Sequence, residues 1–474
     1  MTDKNTSYPI PNASTVLSRK QVATLGVAGL LLAAALWLDA HRTVLVLNVV
    51  FILFYLAFCH YKLVLQFYSL RATRQTFHPD ATLPGGWPSY TVLVPLYREE
   101  TAVPGLMAHL RKLDYPADRI EILLLVEEDD QLTRAAVDRA GVSAPFQVVV
   151  VPVSHPRTKP KACNVGLRQA IGNILVIFDA EDRPELDQLK KAATLFAQAP
   201  AEVICLQASL NYYNRDRNWL TQFFAIEYSG WFDYCLPGLH RLDAPIPLGG
   251  TSNHFRMDAL RACQGWDPYN VTEDCDLGIR LYCNGQRTAV LDSTTWEEAT
   301  FRVLPWIRQR SRWIKGYLQT YLVHLREHRH LLHRLGPLRL LHFHLLFGAG
   351  GLCLLMNPFY WLLTMAWFLT GSQLVSDFFP LWVLVPALLS FLAGNAAFVL
   401  ASMLGCLRRR YYHLLPLCLL MPLYWVLMSI GAWKGALQLI TKPFFWDKTP
   451  HEGNEMSNVE QGTPNVERMT ADEN

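Results

Sequence analysis

The chain has 474 residues, 51% hydrophobic and 18% charged, with a formal charge of +3. That is too apolar for an ordinary water-soluble protein and too charged for a pure membrane bundle, so the length predicts two or three units of different character. The near balance of charge excludes a basic nucleic-acid-binding surface. Ten cysteines (Cys59, Cys163, Cys205, Cys235, Cys263, Cys275, Cys283, Cys353, Cys406 and Cys418) are scattered without a CxxC pair. They read as buried thiols in a reducing compartment, not as a disulfide frame or a zinc site.

Residues 1–20 form a short polar segment. Val22–Leu38 and Thr43–Cys59 are uncharged and apolar, separated only by Asp39-Ala40-His41-Arg42. Each run is near the length needed to cross a bilayer, so residues 21–70 are expected to form a transmembrane hairpin. A cleaved signal peptide is the weaker reading, because a second span follows at once. Lys4, Arg19 and Lys20 precede the hairpin and Lys62, Arg71 and Arg74 follow it. The excess of basic residues on cytoplasmic flanks places both ends of the hairpin in the cytoplasm.

From Pro84 the composition becomes that of a soluble α/β domain. Tyr90–Leu96, Ile120–Val126, Phe146–Val153 and Asn173–Phe178 read as buried strands, with helical patterns at Ala102–Leu113 and Thr133–Arg139 between them. Alternating strands and helices predict a mostly parallel sheet. Two strands end in acids, at Glu127-Glu128-Asp129-Asp130 and at Asp179-Ala180-Glu181-Asp182, and the turn before the second carries Lys159 and Lys161. Ligands of open α/β sheets sit at such strand ends. Crowded carboxylates repel one another until a cation neutralises them, and an oxygen-ligated divalent ion carrying a diphosphate would do so.

Residues 202–300 look less regular. Val203–Ser209 reads as a strand, Trp219–Tyr234 as an aromatic-rich helix, and Leu248–His254 as a loop of small residues. Thr272-Glu273-Asp274-Cys275-Asp276 precedes the helical Leu277–Cys283; threonine followed by acids also makes a plain helix start. Leu304–Leu325 is a helix rich in Arg, Trp and Tyr, a composition suited to a membrane interface, and it carries Gln309, Arg312 and Trp313. Leu345–Leu369, Leu381–Leu407 and Leu414–Ile440 give three more spans by length, with Arg408-Arg409-Arg410 before the last.

The order of these stations resembles the membrane-integrated, processive family-2 glycosyltransferases, the group of bacterial cellulose, curdlan and hyaluronan synthases. It consists of an acidic strand end, KPKACN, the DxD-like Asp179-Ala180-Glu181, Thr272-Glu273-Asp274 and Gln309-x-x-Arg312-Trp313, lying between membrane segments. The resemblance covers residues 85–320 and the membrane parts in outline, and is nearest to a bacterial β-glycan-synthase-like subgroup with DAED and PFxWxKT motifs. It implies an α/β GT-A catalytic domain over residues 85–335, inserted between α-helical transmembrane segments, with a second membrane region over 340–441. Residues 442–474 would then hold a gating-like motif and a polar tail.

The resemblance also assigns roles. Asp274 matches the general base. Glu127 and Glu128 take the place of the aspartates near the uracil, with Asp130 assisting, and Lys161 lies near the diphosphate. Asp179 and Glu181 match the pair that holds Mg2+ or Mn2+, with Asp182 as a substitute. Gln309 and Arg312 face the donor. Trp313, Thr251 and Ser252 face the acceptor, a growing glycan. The glutamates at positions 127, 128 and 181 stand where the family more often has aspartate. A UDP-sugar donor, with UDP-glucose first, a β-linked product, the lipid bilayer, accessory export proteins and a bacterial inner-membrane location complete the expectation. Transfer of a single sugar to a lipid carrier is one alternative, and an inactive scaffold or transporter is another. One count conflicts with the rest. A full span at Leu414–Ile440 would carry Phe444–Thr449 away from the cytoplasm, so either that segment, with Pro416 and Pro422, does not cross or a boundary is misplaced.

Overall fold

A computed structural model describes residues 12–71, 83 and 85–444. Its centre is one eight-stranded sheet. The strands are β1 (Tyr90–Leu96), β2 (Ile120–Glu127), β3 (Phe146–Val151), β4 (Ile174–Ile177), β5 (Arg183–Pro184), β6 (Val203–Tyr212), β7 (Asn253–Arg256) and β8 (Arg287–Glu297). They lie in the order β3-β2-β1-β4-β7-β6-β8-β5. The four strands from β3 to β4 are parallel, as the apolar β-branched runs predict. Alternate side chains face opposite layers: Val92 and Val94 join Leu106 and Phe196, while Leu93, Leu125 and Ile177 join Leu167 and Phe224.

The second half of the sheet adds antiparallel neighbours to the expected, mostly parallel arrangement, in which β6 and β8 also pair parallel. Strand β7 runs antiparallel to both β4 and β6, and β5 runs antiparallel to β8. Strands β7 and β8 were missed in the sequence because neither is a clean apolar run. Strand β7 has four residues, and β8 carries Asp292-Ser293-Thr294-Thr295 where its pairing with β6 shifts register. Strand β6 also runs three residues past the expected Ser209. Buried Asn211 is accommodated there by donating to Ser229 Oγ at 3.0 Å.

Among the described residues, five helical stretches are long and apolar enough to cross a membrane by length and composition: Arg19–Leu38, Ala40–Leu70, Val303–Thr370, Leu381–Arg408 and Met421–Thr441. The first two meet at Asp39, within the stretch read as a hairpin. The third joins the Arg- and Trp-rich helix Val303–His324 to the apolar Gly350–Thr370 and bends at Gly336, whose φ of 75° suits glycine. The expected span Leu414–Ile440 is broken. A short helix, Leu415–Cys418, precedes Met421–Thr441, and Pro416 and Pro422 sit in the first turns of the two helices, where a missing N–H costs nothing.

The helix Met421–Thr441 lies along Val303–His324. A Cβ placed on Gly435 would stand 2.6 Å from Ser311 O, so the two backbones touch. At its end Lys315 Nζ donates to Lys442 O at 3.4 Å, and the Phe444 ring meets Tyr269 edge-on at 6.0 Å. The gating-like segment therefore starts beside the catalytic domain. Its remaining residues, Phe445–Thr449, lie outside the described residues.

Two contacts fix the helix Glu273–Cys283 beneath Val303–His324. Buried Asp276 accepts from Arg280 Nε at 2.8 Å and pairs with His324 Nε2 at 2.9 Å. Burial alone would raise the Asp276 pKa, but Arg280 and His324 outweigh it and hold it below the usual value. Gly316 packs against Thr272, where an added Cβ would come within 2.3 Å of Cγ2.

Three stability changes follow. Gly316→Ala is expected to cost about 1–3 kcal/mol by overpacking, read as a lower thermal midpoint. Gly105→Ala, in a helix with open space around it, is expected to be neutral or stabilising. Asp276→Asn leaves the buried Arg280 charge unmatched and is expected to cost about 3–5 kcal/mol. Because the folded Asp276 carboxyl titrates below its unfolded value, its stabilisation is complete at neutral pH and falls away as acidification passes the unfolded value towards the folded one. An acid-unfolding curve of Asp276→Asn parallel to that of the wild type would contradict this.

Candidate active site

The carboxyl ends of β1, β2 and β4, the loop before β7 and the start of the helix Glu273–Cys283 surround one cavity of about 1600 Å³. Its polar floor includes Glu127, Lys159, Asp179, Glu181, Gly250, Glu273, Asp274 and Glu297, and its rim includes Gln309, Arg312 and Trp313. The sites expected from sequence are thus largely gathered in one place. The last three side chains stand at i, i+3 and i+4 of one helix, a spacing that puts them on one face.

Strand β4 delivers Asp179 just past its last paired residue. The turn there is tied by Asp182, whose Oδ2 accepts from Asp179 N at 2.7 Å and also from the Thr251 hydroxyl. Burial, with Asp179 and Glu181 nearby, pushes the Asp182 carboxyl well up. Asp182 is therefore a brace for the turn and not a replacement for Glu181.

Lys159, and not Lys161, is the lysine that reaches Asp179. Its Nζ lies 2.5 Å from Asp179 Oδ1 and donates to Gly250 O at 2.5 Å. Burial alone would lower its pKa, yet Asp179, Asp274 and Glu273 together hold it above the usual value. Lys161 instead donates to Glu127 Oε2 and to Pro152 O, both at 2.9 Å. In sequence, only the acidic cluster facing the basic turn hinted at Lys159; the KPKACN resemblance drew attention to its neighbour.

The acidic run after β2 divides. Glu127 is buried and lines the cavity, whereas Glu128 is exposed and accepts from Val153 N at 3.2 Å. Asp129 pairs with Arg157 at 2.6 Å, and Asp130 caps the next helix while accepting from Arg98 N at 2.5 Å. The expected donor contacts of Glu128 and Asp130 are corrected accordingly. Successive residues at a strand end point to opposite sides, so only one of the two glutamates can face the cleft.

Thr251 and Ser252 are also corrected. Both are buried and outside the cavity lining. The Thr251 hydroxyl is shared between Asp182 and Ile177 O, the latter 3.0 Å from its Oγ1, and Ser252 Oγ donates to Thr295 Oγ1 at 2.6 Å. They bind the loop to the sheet so that the backbone of Gly249 and Gly250 faces the cavity instead.

Asp274 lies in the first helical turn, where the helix dipole favours negative charge. It is buried, and its Oδ1 has no hydrogen-bond partner among the described residues. Burial, reinforced by Glu273, pushes its pKa well up, while Lys159 opposes the rise. A buried carboxylate oxygen without a partner, at the wall of a cavity, is poised to accept from a ligand hydroxyl.

Among the described residues no group of three His, Cys, Asp or Glu side chains is arranged to hold a metal ion. Two hard carboxylates at one strand end, with an ammonium already against Asp179, nevertheless fit a divalent cation whose other ligands come from a bound diphosphate and water. Sequence reasoning also missed Glu297, Glu227 and Arg310, all of which line the cavity. Glu297 ends the strand that sequence did not reveal, and Arg310 was hidden inside the QxxRW spacing.

Residues 88–316 match the family described as Glycosyltransferase like family 2. "Probable glycosyltransferase YdaM" of Bacillus subtilis (strain 168) is 26% identical over 235 residues, 48% of this chain and 55% of that protein. "Beta-monoglucosyldiacylglycerol synthase" of Synechocystis sp. (strain ATCC 27184 / PCC 6803 / Kazusa) is 27% identical over 240 residues, 50% of this chain and 49% of that protein. "Cellulose synthase 2" of Novacetimonas hansenii is 27% identical over 239 residues, 49% of this chain and 14% of that protein. The chain thus spans about half the length of the first two relatives. Among solved structures, the mannosyltransferase PcManGT from Pyrobaculum calidifontis, in complex with GDP-Man and Mn2+, aligns with a TM-score of 0.49 and 19% identity, covering 84% of this chain and 99% of that one. The matched segment, the mixed sheet and the carboxylates at its strand ends agree: residues 88–316 form a glycosyltransferase domain with a GT-A-like fold, similar to the family-2 enzymes.

Proposed function

We propose that the protein is an inverting, metal-dependent glycosyltransferase of the bacterial inner membrane, with its catalytic domain in the cytoplasm. In this reading it polymerises a sugar from a UDP donor, UDP-glucose first, into a β-linked glycan and passes the chain through its own helices. The observation that carries the reading is the continuity of the cavity. From Asp179 and Asp274 it runs past Trp313 to a stretch between the membrane helices that includes Tyr360, Trp361, Asn395 and Trp425. Aromatic faces and amides suit a sugar chain.

The residues then divide the work. Glu127 accepts from the uracil N–H, and Asp179 with Glu181 holds the cation. Bound there, Mg2+ or Mn2+ would supply positive charge to the diphosphate as it leaves. Lys159, held 2.5 Å from Asp179, would add a second positive charge beside the cation. The acceptor hydroxyl gives its proton to Asp274 as its oxygen bonds to C1 of the donor sugar. The C1–O bond to UDP breaks on the opposite face, so an α-linked donor yields a β-linked product and free UDP. Gln309 and Arg312 face the donor phosphates, and Trp313 offers the acceptor sugar an aromatic surface.

A lipid acceptor is the second reading. It is favoured by the many apolar side chains along the membrane part of the cavity, such as Leu354, Leu388 and Phe391, and by the name of the Synechocystis relative. Membranes containing the protein, given single UDP-sugars with Mg2+, Mn2+ or EDTA, should release UDP only with metal and make long glycosidase-sensitive product from one donor. Lipid-sized product alone would replace the polymerase by the single-transfer reading. Asp274→Asn should lower UDP release by at least about 100-fold, in line with loss of a general base. Wild-type release in that variant would remove the assigned chemistry.

A separate binding measurement checks the divided acidic run. Glu127→Gln should weaken UDP binding by about tenfold, the loss of one charged hydrogen bond, while Glu128→Gln leaves it within about twofold. Equal losses in isothermal titration would return Glu128 to the site.

A further inference from the structure

Beneath the rim of the cavity lies a charged cluster that the chemistry above does not use. Arg310 points away from Gln309 and Arg312 and sits among the rings of Phe224, Trp313 and Trp306, with its guanidinium 4.2, 4.7 and 5.2 Å from their centroids. Its side chain is only 5% exposed. A cation in such a shell is costly unless it is paired. Glu227 supplies the pair, accepting from Nη1 at 2.9 Å and from Nη2 at 2.5 Å in a forked arrangement. Tyr424 completes it by donating to Glu227 Oε2 at 2.7 Å, and its own oxygen accepts from Arg310 Nη2 at 3.1 Å.

Each member comes from a different element. Glu227 lies on Trp219–Gly230 of the catalytic domain, Arg310 on Val303–His324 and Tyr424 on Met421–Thr441. Trp313, three residues beyond Arg310, is held from its other sides by Phe224 and Tyr228, with centroids 6.0 and 6.2 Å away. The guanidinium therefore touches the ring whose plane an acceptor sugar would meet. Tyr424 ties Met421–Thr441 to that ring through one hydroxyl and one ion pair, and the helices pack closely there: a Cβ placed on Gly431 would stand 3.2 Å from Arg310 Cβ.

We propose that Glu227, Arg310 and Tyr424 form a positioning device that fixes the plane of Trp313 and makes it answer to the placement of Met421–Thr441. The proposal rests on reading Trp313 as the acceptor surface. Its consequence is a split in the kinetics: the device governs acceptor handling and chain growth, while donor binding, built on Glu127 and Asp179, is left alone.

Purified protein in lipid nanodiscs, assayed for UDP release and product length, tests it. Glu227→Gln should lower turnover at saturating donor by about tenfold and shorten the product, with the donor KM kept within about twofold. Tyr424→Phe, which removes one hydroxyl, should move product length the same way to a smaller extent. The double variant Glu227→Gln with Arg310→Gln removes both charges, so its thermal midpoint should return towards the wild type while its product stays short. Recovery of product length together with stability would overturn the proposal in favour of a purely structural ion pair. A donor KM that rises in step with the loss of turnover would also overturn it, and wild-type product from Tyr424→Phe would sever the link to the last helix. If the wild type makes only single-sugar product, the polymerase reading fails separately. The device is then read on the KM for that acceptor, which rises in Glu227→Gln if the proposal holds and stays fixed if it does not.

Discussion

Mutual repulsion among carboxylates at the ends of buried strands is the constraint on which the molecule turns. Asp179, Glu181, Glu273, Asp274 and Glu297 all line one cavity, and each would be more stable apart from the others. The fold holds them together by giving Asp179 an ammonium 2.5 Å away, placing Glu273 and Asp274 at the positive end of a helix, and fixing the turn through Asp182. Such an arrangement stores affinity for positive charge. It is suited to a ligand that arrives with a cation and leaves as an anion, as a metal–diphosphate does.

A second constraint is mechanical. The carboxylates belong to the sheet, but the cavity is completed by a helix that also belongs to the apolar layer. Val303–His324 touches the catalytic domain at Gly316 against Thr272 and through His324 against Asp276, and it touches Met421–Thr441 at Ser311 against Gly435. Small residues at these crossings remove slack between backbones. Glycosyl transfer and whatever happens between the membrane helices are thus built on shared rigid contacts instead of a flexible hinge.

The legibility of the chain follows from how each residue earns its place. Strands β1, β2 and β4 were readable because both faces are covered and the sequence has to be apolar throughout. Gln309, Arg312 and Trp313 were picked out by the resemblance, and the acidic tips were readable because charge at the end of a buried strand faces the ligand crevice of an open sheet. Strand β8 was not, since its polar residues are satisfied by partners far away in sequence: Ser293 and Thr295 both meet Gln188. The same holds for the divided run at Glu127 and Glu128. Sequence shows two equivalent glutamates, and only the pleat of β2 decides which one enters the cleft.

Lys159 and Lys161 make the same point in a sharper form. They stand two residues apart at the start of one helix, and the resemblance favours the second. Yet Lys161 is taken by Glu127 and Pro152, and Lys159 lies across the cleft to Asp179 and Gly250. Residues two apart on a helix point in different directions, so one basic turn can serve two carboxylates from two strands. The pair therefore links the Glu127 side of the cleft to its Asp179 side through a single helix start. Placing both cations there, on a rigid element, keeps Glu127 and Asp179 at a fixed separation before any ligand arrives.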